Sequence, residues 1–331
     1  MDKFISCDWG TSTLRLRLVD STAATILAET TSEEGIAMVF ERWKEIEKEK
    51  LSEKEKEEER LAFYRSVLSD QIVKLGGQAG RDLAGIPVII SGMASSNIGM
   101  VELPYKQAPF DLNVKGLNVR LDIAPAGFDH PTLLVSGVRT VKDVVRGEET
   151  QLTGCINDNE KGERLFIFPG THSKHVLVQN GRLADIRTYM TGEFFGLLSK
   201  KSILANSVRK SMFRPEQYQK QFEEGVSDGL KTSLLHSAFW VRTNDLFNEL
   251  SKEENYHYLN GLVISTELKE LINVNLPITI VASKPMLSYY CLAMEKIGML
   301  LVDTLDASEA VIAGQRKIYE LYRDDVRNSK F

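Results

Sequence analysis

This chain has few cysteines and no excess of positively charged residues. Its 331 residues include 3 cysteines, and 41 Lys and Arg stand against 46 Asp and Glu. Cys7, Cys155 and Cys291 are odd in number and far apart, so we expect buried thiols in a reducing compartment rather than a disulfide framework. The formal net charge of −5 argues against a nucleic-acid surface, which needs a basic face.

Long apolar runs are also missing. No run approaches the ~20 residues that a membrane-spanning helix needs. A strand pattern begins at Lys3, so we expect no signal peptide. We therefore expect a cytoplasmic protein with no membrane and no nucleic-acid partner. The hydrophobic content of 43% and charged content of 26% are those of a globular protein, and the length predicts roughly two domains.

The stretch from Lys3 to Val19, KFISCDWGTSTLRLRLV, organises the chain. An apolar run and an alternating run predict two strands joined by a turn. Gly10 allows close backbone approach, and Thr11 and Ser12 add hydroxyl donors of the kind that a phosphate needs. Asp8 would repel phosphate oxygens, so we expect Mg²⁺ or its bound water between them. An ordinary hairpin is the alternative, since turns favour Asp, Gly and Ser.

The same pattern returns at Leu165 to Val178, LFIFPGTHSKHVLV. An apolar strand, a Gly170-Thr171 corner and a second apolar strand follow one another as in the first stretch. In each half, another strand-like stretch and a Gly-Glu or Glu-Gly corner come next. Two related halves, each with a phosphate-binding hairpin that faces a shared cleft, explain this repeat better than chance does. Phe168 occupies the position in the second hairpin that Asp8 occupies in the first. Only the first half is therefore expected to provide a carboxylate for the metal ion.

Two loops that follow strands carry further candidate residues. The small-residue loop from Gly92 to Gly99 follows a buried strand at Pro87 to Ser91, and in open α/β sheets ligands bind beyond the carboxyl ends of strands. The segment VVRGEETQLTG at 144–154 places two acids at the start of a helix. The alternatives are a flexible connection for the loop, and acids that only complement the helix dipole.

Helical patterns cover much of the remaining chain. Sixteen of the twenty residues from Glu41 to Arg60 are charged, and we expect a solvated helix face held by i,i+4 pairs, with an interaction segment as the alternative. This helix gains an apolar face and is expected to end at Gly76-Gly77. Further on, we expect helices from Phe194 to Glu270, a buried strand at Ile278 to Ala282 and a closing helix from Ala307 to Tyr322.

With these motifs in view, the chain resembles the 2-dehydro-3-deoxygalactonokinases of the actin/sugar-kinase superfamily nearly end to end. The segments that carry the resemblance are DWGTS at Asp8, SGMASSNIGMVELPY at 91–105, RGEETQLTG at Arg146, PGTHSK at Pro169, RTYMTGE at Arg187 and AVIAGQR at Ala310. The resemblance implies an α/β protein with a two-domain actin-like (ribonuclease H-like) sugar-kinase fold and an interdomain cleft. The expected domains are 1–140 and 141–331, with the closing helix a candidate to pack back on the first. The implied activity transfers the γ-phosphoryl group of ATP to the terminal hydroxyl of 2-dehydro-3-deoxy-D-galactonate in galactonate catabolism.

The resemblance and the chemistry of phosphoryl transfer together assign roles. Transfer needs positioning and charge neutralisation, and ATP and Mg²⁺ are the expected cofactors. Asp8 is assigned to the Mg²⁺ shell, and Glu149 is assigned as the base that accepts the proton of the acceptor alcohol, with Glu148 as its alternate. The residues assigned to the nucleotide are Gly10, Thr11, Ser12, Gly170, Thr171, His172, Lys174 and Ser283. The residues assigned to the sugar acid are Ser95, Asn97, Gly99, Glu102 and Arg146, the last for the substrate carboxylate.

The sequence leaves other functions open. The acceptor loops are short and vary readily, so a kinase for a related keto-deoxy sugar acid is one alternative, and a catalytically silent metabolite-binding regulator is another. Two segments depart from the usual family pattern: Ser265-Thr266, and Ser283-Lys284-Pro285 after the strand at Ile278 to Ala282. His172 and His175 lack the further His or Cys residues of a zinc site. A homo-oligomer is compatible with the sequence.

Overall fold

The computed structural model describes residues 2–47, 52–113, 116–123, 126–157, 161–299 and 301–327. The chain divides into two compact units. The first unit comprises Met1–Lys161, Asn180–Ala184 and Ser308–Phe331, and the second comprises Gly162–Gln179 and Asp185–Ala307. The C-terminal segment therefore belongs to the first unit.

Strands and helices follow one another in a mixed α/β order. The strands are β1 (Lys3–Trp9), β2 (Leu14–Asp20), β3 (Thr25–Ser32), β4 (Val88–Gly92), β5 (Lys106–Gln107), β6 (Phe110–Asp111), β7 (Val119–Asp122), β8 (Thr132–Val135), β9 (Val138–Arg139), β10 (Val144–Val145), β11 (Glu163–Phe168), β12 (Ser173–Gln179), β13 (Arg182–Tyr189), β14 (Ile278–Ala282) and β15 (Leu301–Asp306). The helices are α1 (Ile36–Ile46), α2 (Glu53–Ala79), α3 (Glu148–Cys155), α4 (Thr191–Lys201), α5 (Pro215–Lys231), α6 (Leu234–Ser237), α7 (Trp240–Leu246), α8 (Lys252–Leu268), α9 (Lys284–Ile297) and α10 (Ala307–Arg327). Among the helices of the described residues, none combines the length and apolar character that a membrane crossing requires.

A mixed sheet in the order β3-β2-β1-β4-β8-β7 forms the centre of the first unit. β1 lies between antiparallel β2 and parallel β4, and β8 is parallel to β4. The leucines of β2 are buried in the core with α1 and α2, as their alternation predicts. Arg17, on the opposite face of β2, is also buried: its guanidinium contacts Glu29 at 2.5 Å and Ser308 of α10 at 3.0 Å. The sheet is therefore covered on both faces here.

The sheet of the second unit repeats this arrangement. Five consecutive strands of this sheet lie in the order β13-β12-β11-β14-β15. β11 is antiparallel to β12 and parallel to β14, which is parallel to β15. The order matches that of β3-β2-β1-β4-β8 in the first unit. The directions of β12-β11-β14-β15 match those of β2-β1-β4-β8. The repeated hairpin motif thus belongs to a repeated sheet, and the predicted α/β fold class is confirmed.

The charged stretch at Glu41 to Arg60 differs from the single helix that its composition predicts. α1 ends at Ile46 and α2 begins at Glu53, where Ser52 and Glu55 form a capping box; residues 48–51 lie outside the described part of the chain. The capping box satisfies backbone N–H groups at a helix start, so the helical segment has a defined beginning inside the charged run.

The expected end of α2 at Gly76-Gly77 is wrong. The helix continues to Ala79, and Gly80 ends it with a left-handed φ of 63°. A glycine inside a helix costs only about 1 kcal/mol, which neighbouring packing can offset. The left-handed conformation after a helix is where glycine is needed.

α10 crosses α3 at backbone contact distance. A Cβ on Gly314 would lie 1.9 Å from the Thr150 carbonyl oxygen, and one on Gly154 would lie 2.1 Å from the Ala310 carbonyl oxygen. Lys317 donates to two carbonyl groups near the end of α3, at 3.0 and 2.7 Å, where helix carbonyls lack internal partners. α10 therefore fixes the position of the helix that begins with the two acids.

We expect Gly314→Ala to destabilise the protein. The new methyl group would overlap the Thr150 carbonyl, so the helices must separate, at a cost of about 1–3 kcal/mol in the free energy of unfolding. Gly77→Ala is the matched control, because nothing lies within 4 Å of its Cβ position, and alanine stabilises a helix by about 0.5–1 kcal/mol relative to glycine. Thermal melting distinguishes the two, and an unchanged melting temperature for Gly314→Ala would contradict the described crossing.

Candidate functional site

The turn between β1 and β2 presents the first predicted phosphate-binding residues. The Gly10 N–H donates to the Thr13 carbonyl at 2.9 Å, which closes the turn and leaves Thr11 and Ser12 exposed. α1 begins directly against this turn, since a Cβ on Gly35 would lie 2.3 Å from the Ser12 carbonyl carbon. The turn is thus held by backbone contacts while its hydroxyl groups face outward.

Asp8 lies at the end of β1, in register with Ser91 of β4 and Arg15 of β2. Its carboxylate is 3.5 Å from the Arg15 guanidinium, and its side chain is 25% exposed. Burial raises the pKa of Asp8, while Arg15 and Arg17 oppose that shift. Proteins bind Mg²⁺ through one or two carboxylates, with phosphate and water completing the shell. A single carboxylate beside the turn fits that requirement; the described residues hold no cluster of three or more His, Cys, Asp or Glu that could bind a metal.

Gln315 of α10 supports the Asp8 segment, although the sequence assigned it no role. It is fully buried, and its Nε2 donates to the Cys7 carbonyl at 3.0 Å and to Ser91 Oγ at 2.8 Å. Because a carbonyl can only accept, the amide nitrogen must face Cys7. Gln315 therefore joins the ends of β1 and β4 next to Asp8. The AVIAGQR motif is the sequence signal that contains it.

Glycines bring the Asp8 and Glu149 segments together. Gly92, at the end of β4, has a φ of 94°, and a Cβ there would lie 2.6 Å from the Trp9 carbonyl oxygen. Gly147, just before α3, has a φ of 114°, and its Cβ position lies 3.4 Å from Gly92 Cα. Both backbone conformations favour glycine. The start of α3 therefore lies against the carboxyl ends of β1 and β4.

The two adjacent acids of α3 lie in different environments. Glu149 is buried, and its carboxylate accepts from the Gly147 N–H at 2.7 Å and from the Thr150 hydroxyl at 3.0 Å. Burial, with a smaller effect of the Glu148 charge, raises the pKa of Glu149 to about 7. Glu148 is only half-buried, and its carboxylate accepts from the Arg146 N–H at 3.0 Å. A carboxyl that titrates near neutral pH is typical of a functional acid or base.

The loop after β4 joins Ser95 to Arg146. The Ser95 carbonyl and hydroxyl each lie 2.5 Å from the same Arg146 nitrogen, Nη1. The guanidinium lies over the Tyr105 ring at 4.1 Å from its centroid, and Nε donates to the Tyr105 hydroxyl at 3.3 Å. The other terminal nitrogen, Nη2, is buried and has no hydrogen-bond partner within the described residues. Such a nitrogen is suited to donate to a ligand carboxylate.

The other residues predicted to bind the sugar acid, Asn97, Gly99 and Glu102, follow Ser95 in the same loop, which contacts α2. Arg60 of α2 donates to the carbonyls of Asn97 at 2.7 Å and Gly99 at 2.6 Å. The Tyr64 hydroxyl donates to the Ile98 carbonyl at 2.6 Å. Asn97 and Glu102 are exposed and border a cavity of about 550 Å³ beside α1 and α2. The charged end of α2 is therefore more than a solvated face, because Arg60 holds this loop.

The turn between β11 and β12 repeats the first turn in the second unit. α4 begins against it, since a Cβ on Gly192 would lie 2.5 Å from the Gly170 carbonyl oxygen, and the Glu193 N–H donates to the Thr171 carbonyl at 3.0 Å. Thr171 and His172 are exposed, and His172 Nε2 is 2.5 Å from the Glu193 carboxylate. In both units, a helix thus begins in backbone contact with the turn.

Lys174 and Ser283 also lie in the second unit, but not at the tip of the turn. Lys174 is buried, and its ammonium group donates to the Thr188 hydroxyl on β13 at 3.0 Å. Ser283 is exposed at the N-cap of α9, directly after β14, and its side chain makes no cap hydrogen bond. Lys174 is therefore tied to a neighbouring strand.

Comparison with known proteins identifies the family. Residues 8–318 match the 2-keto-3-deoxy-galactonokinase family. The chain belongs to this family. It is 29% identical over 326 residues to a Rhizobium meliloti protein named as a 2-dehydro-3-deoxygalactonokinase, covering 94% of each chain. It is 30% identical over 216 residues to the 2-dehydro-3-deoxygalactonokinase of Escherichia coli, covering 64% of this chain and 71% of the relative.

Solved structures agree with the family and the fold. A crystal structure of a candidate 2-dehydro-3-deoxygalactonokinase from Sinorhizobium meliloti has a TM-score of 0.78 and 26% identity, with 96% of both chains covered. The activator of the 2-hydroxyisocaproyl-CoA dehydratase from Clostridium difficile has a TM-score of 0.51 and 12% identity, over 98% of this chain and 97% of that one. The second likeness concerns the fold alone. This kinase-family chain thus has the two-domain, actin-like sugar-kinase fold that its sequence motifs imply.

The buried Glu149 makes the stability of this family member depend on pH. The pKa of about 7 in the folded protein exceeds the ordinary value of 4.5, so the folded state holds the proton more tightly, and stability falls as pH rises between these values. Glu149→Gln has no such proton to lose. We expect its stability relative to wild type to increase between about pH 5 and about pH 8, by on the order of 3 kcal/mol.

Thermal melts at both pH values measure this difference. Glu148→Gln is the comparison: it removes only the smaller cause of the raised Glu149 pKa, so its stability relative to wild type should change much less with pH. If the melting temperatures of Glu149→Gln and wild type shift in parallel with pH, Glu149 does not titrate near neutrality.

Proposed function

We propose that this protein is an ATP-dependent kinase that phosphorylates the terminal hydroxyl of 2-dehydro-3-deoxy-D-galactonate in galactonate degradation. Family membership and the names of its relatives support the proposal. The structural observation that carries it is the buried Glu149, whose pKa is raised to about 7, at a helix start next to the strand end that bears Asp8. Phosphoryl transfer to an alcohol needs a base and a charge-neutralising site in this kind of proximity.

The two turns are assigned to the nucleotide phosphates. In the first unit, Thr11 and Ser12 offer exposed hydroxyls beside Gly10; in the second, Thr171 and His172 are exposed in the equivalent turn. Asp8 is the residue that would hold Mg²⁺, which when bound neutralises charge on the phosphate oxygens. Gln315 keeps the Asp8 segment in place through the Cys7 carbonyl.

Glu149 is assigned as the general base. The terminal hydroxyl oxygen of the acceptor attacks the γ-phosphorus, the bond from that phosphorus to the bridging oxygen of ATP breaks, and ADP leaves with the bonding electrons. Glu149 takes the hydroxyl proton. Each of its two carboxylate oxygens accepts one hydrogen bond from the chain, which leaves capacity for the acceptor hydroxyl. Glu148 is only half-buried, whereas burial raises the pKa of Glu149 to about 7, so Glu149 is the better candidate.

Arg146 is assigned to the carboxylate of the sugar acid. Its Nη1 and Nε donate to Ser95 and Tyr105, while Nη2 is buried without a hydrogen-bond partner in the described part of the chain. Two fixed nitrogens orient the guanidinium plane, and the remaining one can donate a charge-assisted hydrogen bond. Arg146 would recognise the carboxylate of any 2-keto-3-deoxy acid, so the neighbouring hydroxyl contacts must select the stereochemistry.

The cytoplasm is the proposed compartment. Cys7, Cys155 and Cys291 form no disulfide within the described residues. Thiols persist in a reducing compartment, where ATP is also supplied. This agrees with a catabolic kinase.

Release of ADP from Mg-ATP tests the proposal, with 2-dehydro-3-deoxy-D-galactonate and its gluconate epimer as acceptors. Turnover that favours the galactonate form supports both the reaction and the substrate. Turnover on the epimer alone keeps the reaction but moves the substrate to a related keto-deoxy acid. No turnover with either acceptor, despite nucleotide binding, would contradict the kinase proposal and favour a metabolite-binding regulator.

We expect Glu149→Gln to lose most turnover and keep nucleotide affinity. Loss of a general base lowers kcat by about 10²–10⁴-fold, whereas Asp8 and the phosphate turns are untouched. Steady-state kinetics gives kcat, and the melting shift produced by Mg-ADP gives the nucleotide binding. Glu148→Gln is the matched variant: if it loses turnover and Glu149→Gln does not, the base is Glu148.

We expect Arg146→Lys to raise the KM for the sugar acid by about tenfold or more, because the point charge of lysine cannot keep the Ser95 and Tyr105 contacts while also donating to the substrate. The KM for Mg-ATP should stay near the wild-type value. Arg139→Lys is the control, since Arg139 is exposed and its Nε donates to the adjacent Thr140 carbonyl at 3.4 Å. Equal KM changes for both substrates would contradict the assignment.

A further inference from the structure

A buried carboxylate, Glu267 of α8, lies directly behind the second phosphate turn. It is 2% exposed. Oε1 accepts from Ser173 Oγ and from His175 Nε2, each at 2.8 Å. Oε2 accepts from the Tyr290 hydroxyl at 2.8 Å and from the Thr191 hydroxyl. One side chain of α8 thus joins β12, α4 and α9.

The hydrogen-bonding capacity of Glu267 is fully used by the protein. An ionised carboxylate has about four lone-pair sites, and four donors occupy them. Burial and the Glu267 charge raise the pKa of Tyr290, so its hydroxyl stays protonated and donates. A buried carboxylate without such donors would be very costly. Glu267 therefore has no site left for a metal ion or a substrate hydroxyl.

The groups that Glu267 holds lie next to the predicted nucleotide residues. Ser173 follows His172 in the chain, and Ser173 and His175 flank Lys174, whose ammonium group contacts Thr188 instead. Alternate residues of a strand point to opposite faces, so anchoring Ser173 and His175 also sets the direction of Lys174.

The hydrogen bond from the Thr191 hydroxyl to Glu267 fixes the start of α4, the helix that supports the turn. Thr191 is the first residue of α4, and it precedes Gly192, which approaches the Gly170 carbonyl so closely that a Cβ would lie 2.5 Å from it. Glu267 therefore holds both sides of this contact: β12 as it leaves the turn, and the helix start packed against the turn.

We propose that Glu267 is a positioning residue for nucleotide phosphate, acting through the turn at Gly170 to Lys174. The proposal rests on the proposed kinase function, and it assigns Glu267 no direct contact with ATP. A rigid turn presents its donors at fixed places, which lowers the ordering cost of binding and holds the phosphates in reactive geometry. Loosening the anchor therefore weakens nucleotide binding and leaves the binding of the sugar acid unchanged.

The test compares wild type, Glu267→Gln and Tyr290→Phe with the control Tyr258→Phe. Tyr258 is also a buried tyrosine of the second unit that donates to a carboxylate, Asp228, at 2.9 Å. Tyr290→Phe and Tyr258→Phe each remove one such hydrogen bond, so their losses of thermal stability should be similar. The measurements are the KM values for Mg-ATP and for the sugar acid, kcat, and the melting shift produced by Mg-ADP without acceptor.

We expect Glu267→Gln to raise the KM for Mg-ATP by about tenfold to a hundredfold and to reduce the Mg-ADP shift, since misplacement by about 1 Å has effects of this size. Tyr290→Phe should show a smaller rise and Tyr258→Phe none, with the sugar-acid KM unchanged in all three. Wild-type nucleotide parameters in folded Glu267→Gln and Tyr290→Phe would overturn the proposal, as would equal changes in Tyr258→Phe.

The experiments distinguish failure of the kinase proposal from failure of the Glu267 proposal. If wild type binds Mg-ADP but shows no turnover, the kinase function fails, while the melting shifts of the variants still decide the role of Glu267. If Glu267→Gln does not fold, the pair Tyr290→Phe and Tyr258→Phe decides it.

Discussion

Close backbone approach at glycine is the constraint on which the rest of the structure depends. Gly35 and Gly192 allow a helix to begin against the β1–β2 turn and the β11–β12 turn, and Gly314 lets α10 lie on α3. Any side chain at these positions would overlap a neighbouring backbone atom. The turns, the Asp8 strand end and the Glu149 helix are therefore held by contacts between main chains, which change little with side-chain motion, and the polar side chains remain available for ligands.

The two buried carboxylates, Glu149 and Glu267, differ in the number of hydrogen bonds that each accepts, and this difference suits them to different roles. Glu149 receives two bonds from its own helix start, and its pKa rises to about 7, so it can exchange a proton near neutral pH. Glu267 receives four bonds and has no capacity left. The first arrangement suits a base, and the second suits an anchor. Burial alone does not separate these roles, because both side chains are nearly inaccessible; the donors around each carboxylate do.

Local patterns in the sequence predict the parts of the fold that depend on local chemistry. Apolar runs and Gly-Thr corners locate both hairpins, the repeat predicts matching halves, and the strand at Ile278 to Ala282 has the predicted bounds. Contacts between distant residues are not predicted this way. Gln315 bonds to a carbonyl 308 positions earlier, and Arg60 reaches a loop 37 to 39 positions later. Periodicity indicates which face of an element is buried but not which group that face meets, so these supporting residues emerge only from the structure.

The pH dependence of kcat/KM for the sugar acid tests the central claim most directly, because it reports groups that titrate in the free enzyme. Followed in wild type from about pH 5.5 to about pH 9, it should rise with pH and level off above the Glu149 pKa. That pKa lies at about 7. The residual activity of Glu149→Gln should lack this rise. A flat wild-type profile, or the same rise retained in Glu149→Gln, would contradict a phosphoryl transfer in which Glu149 is the base.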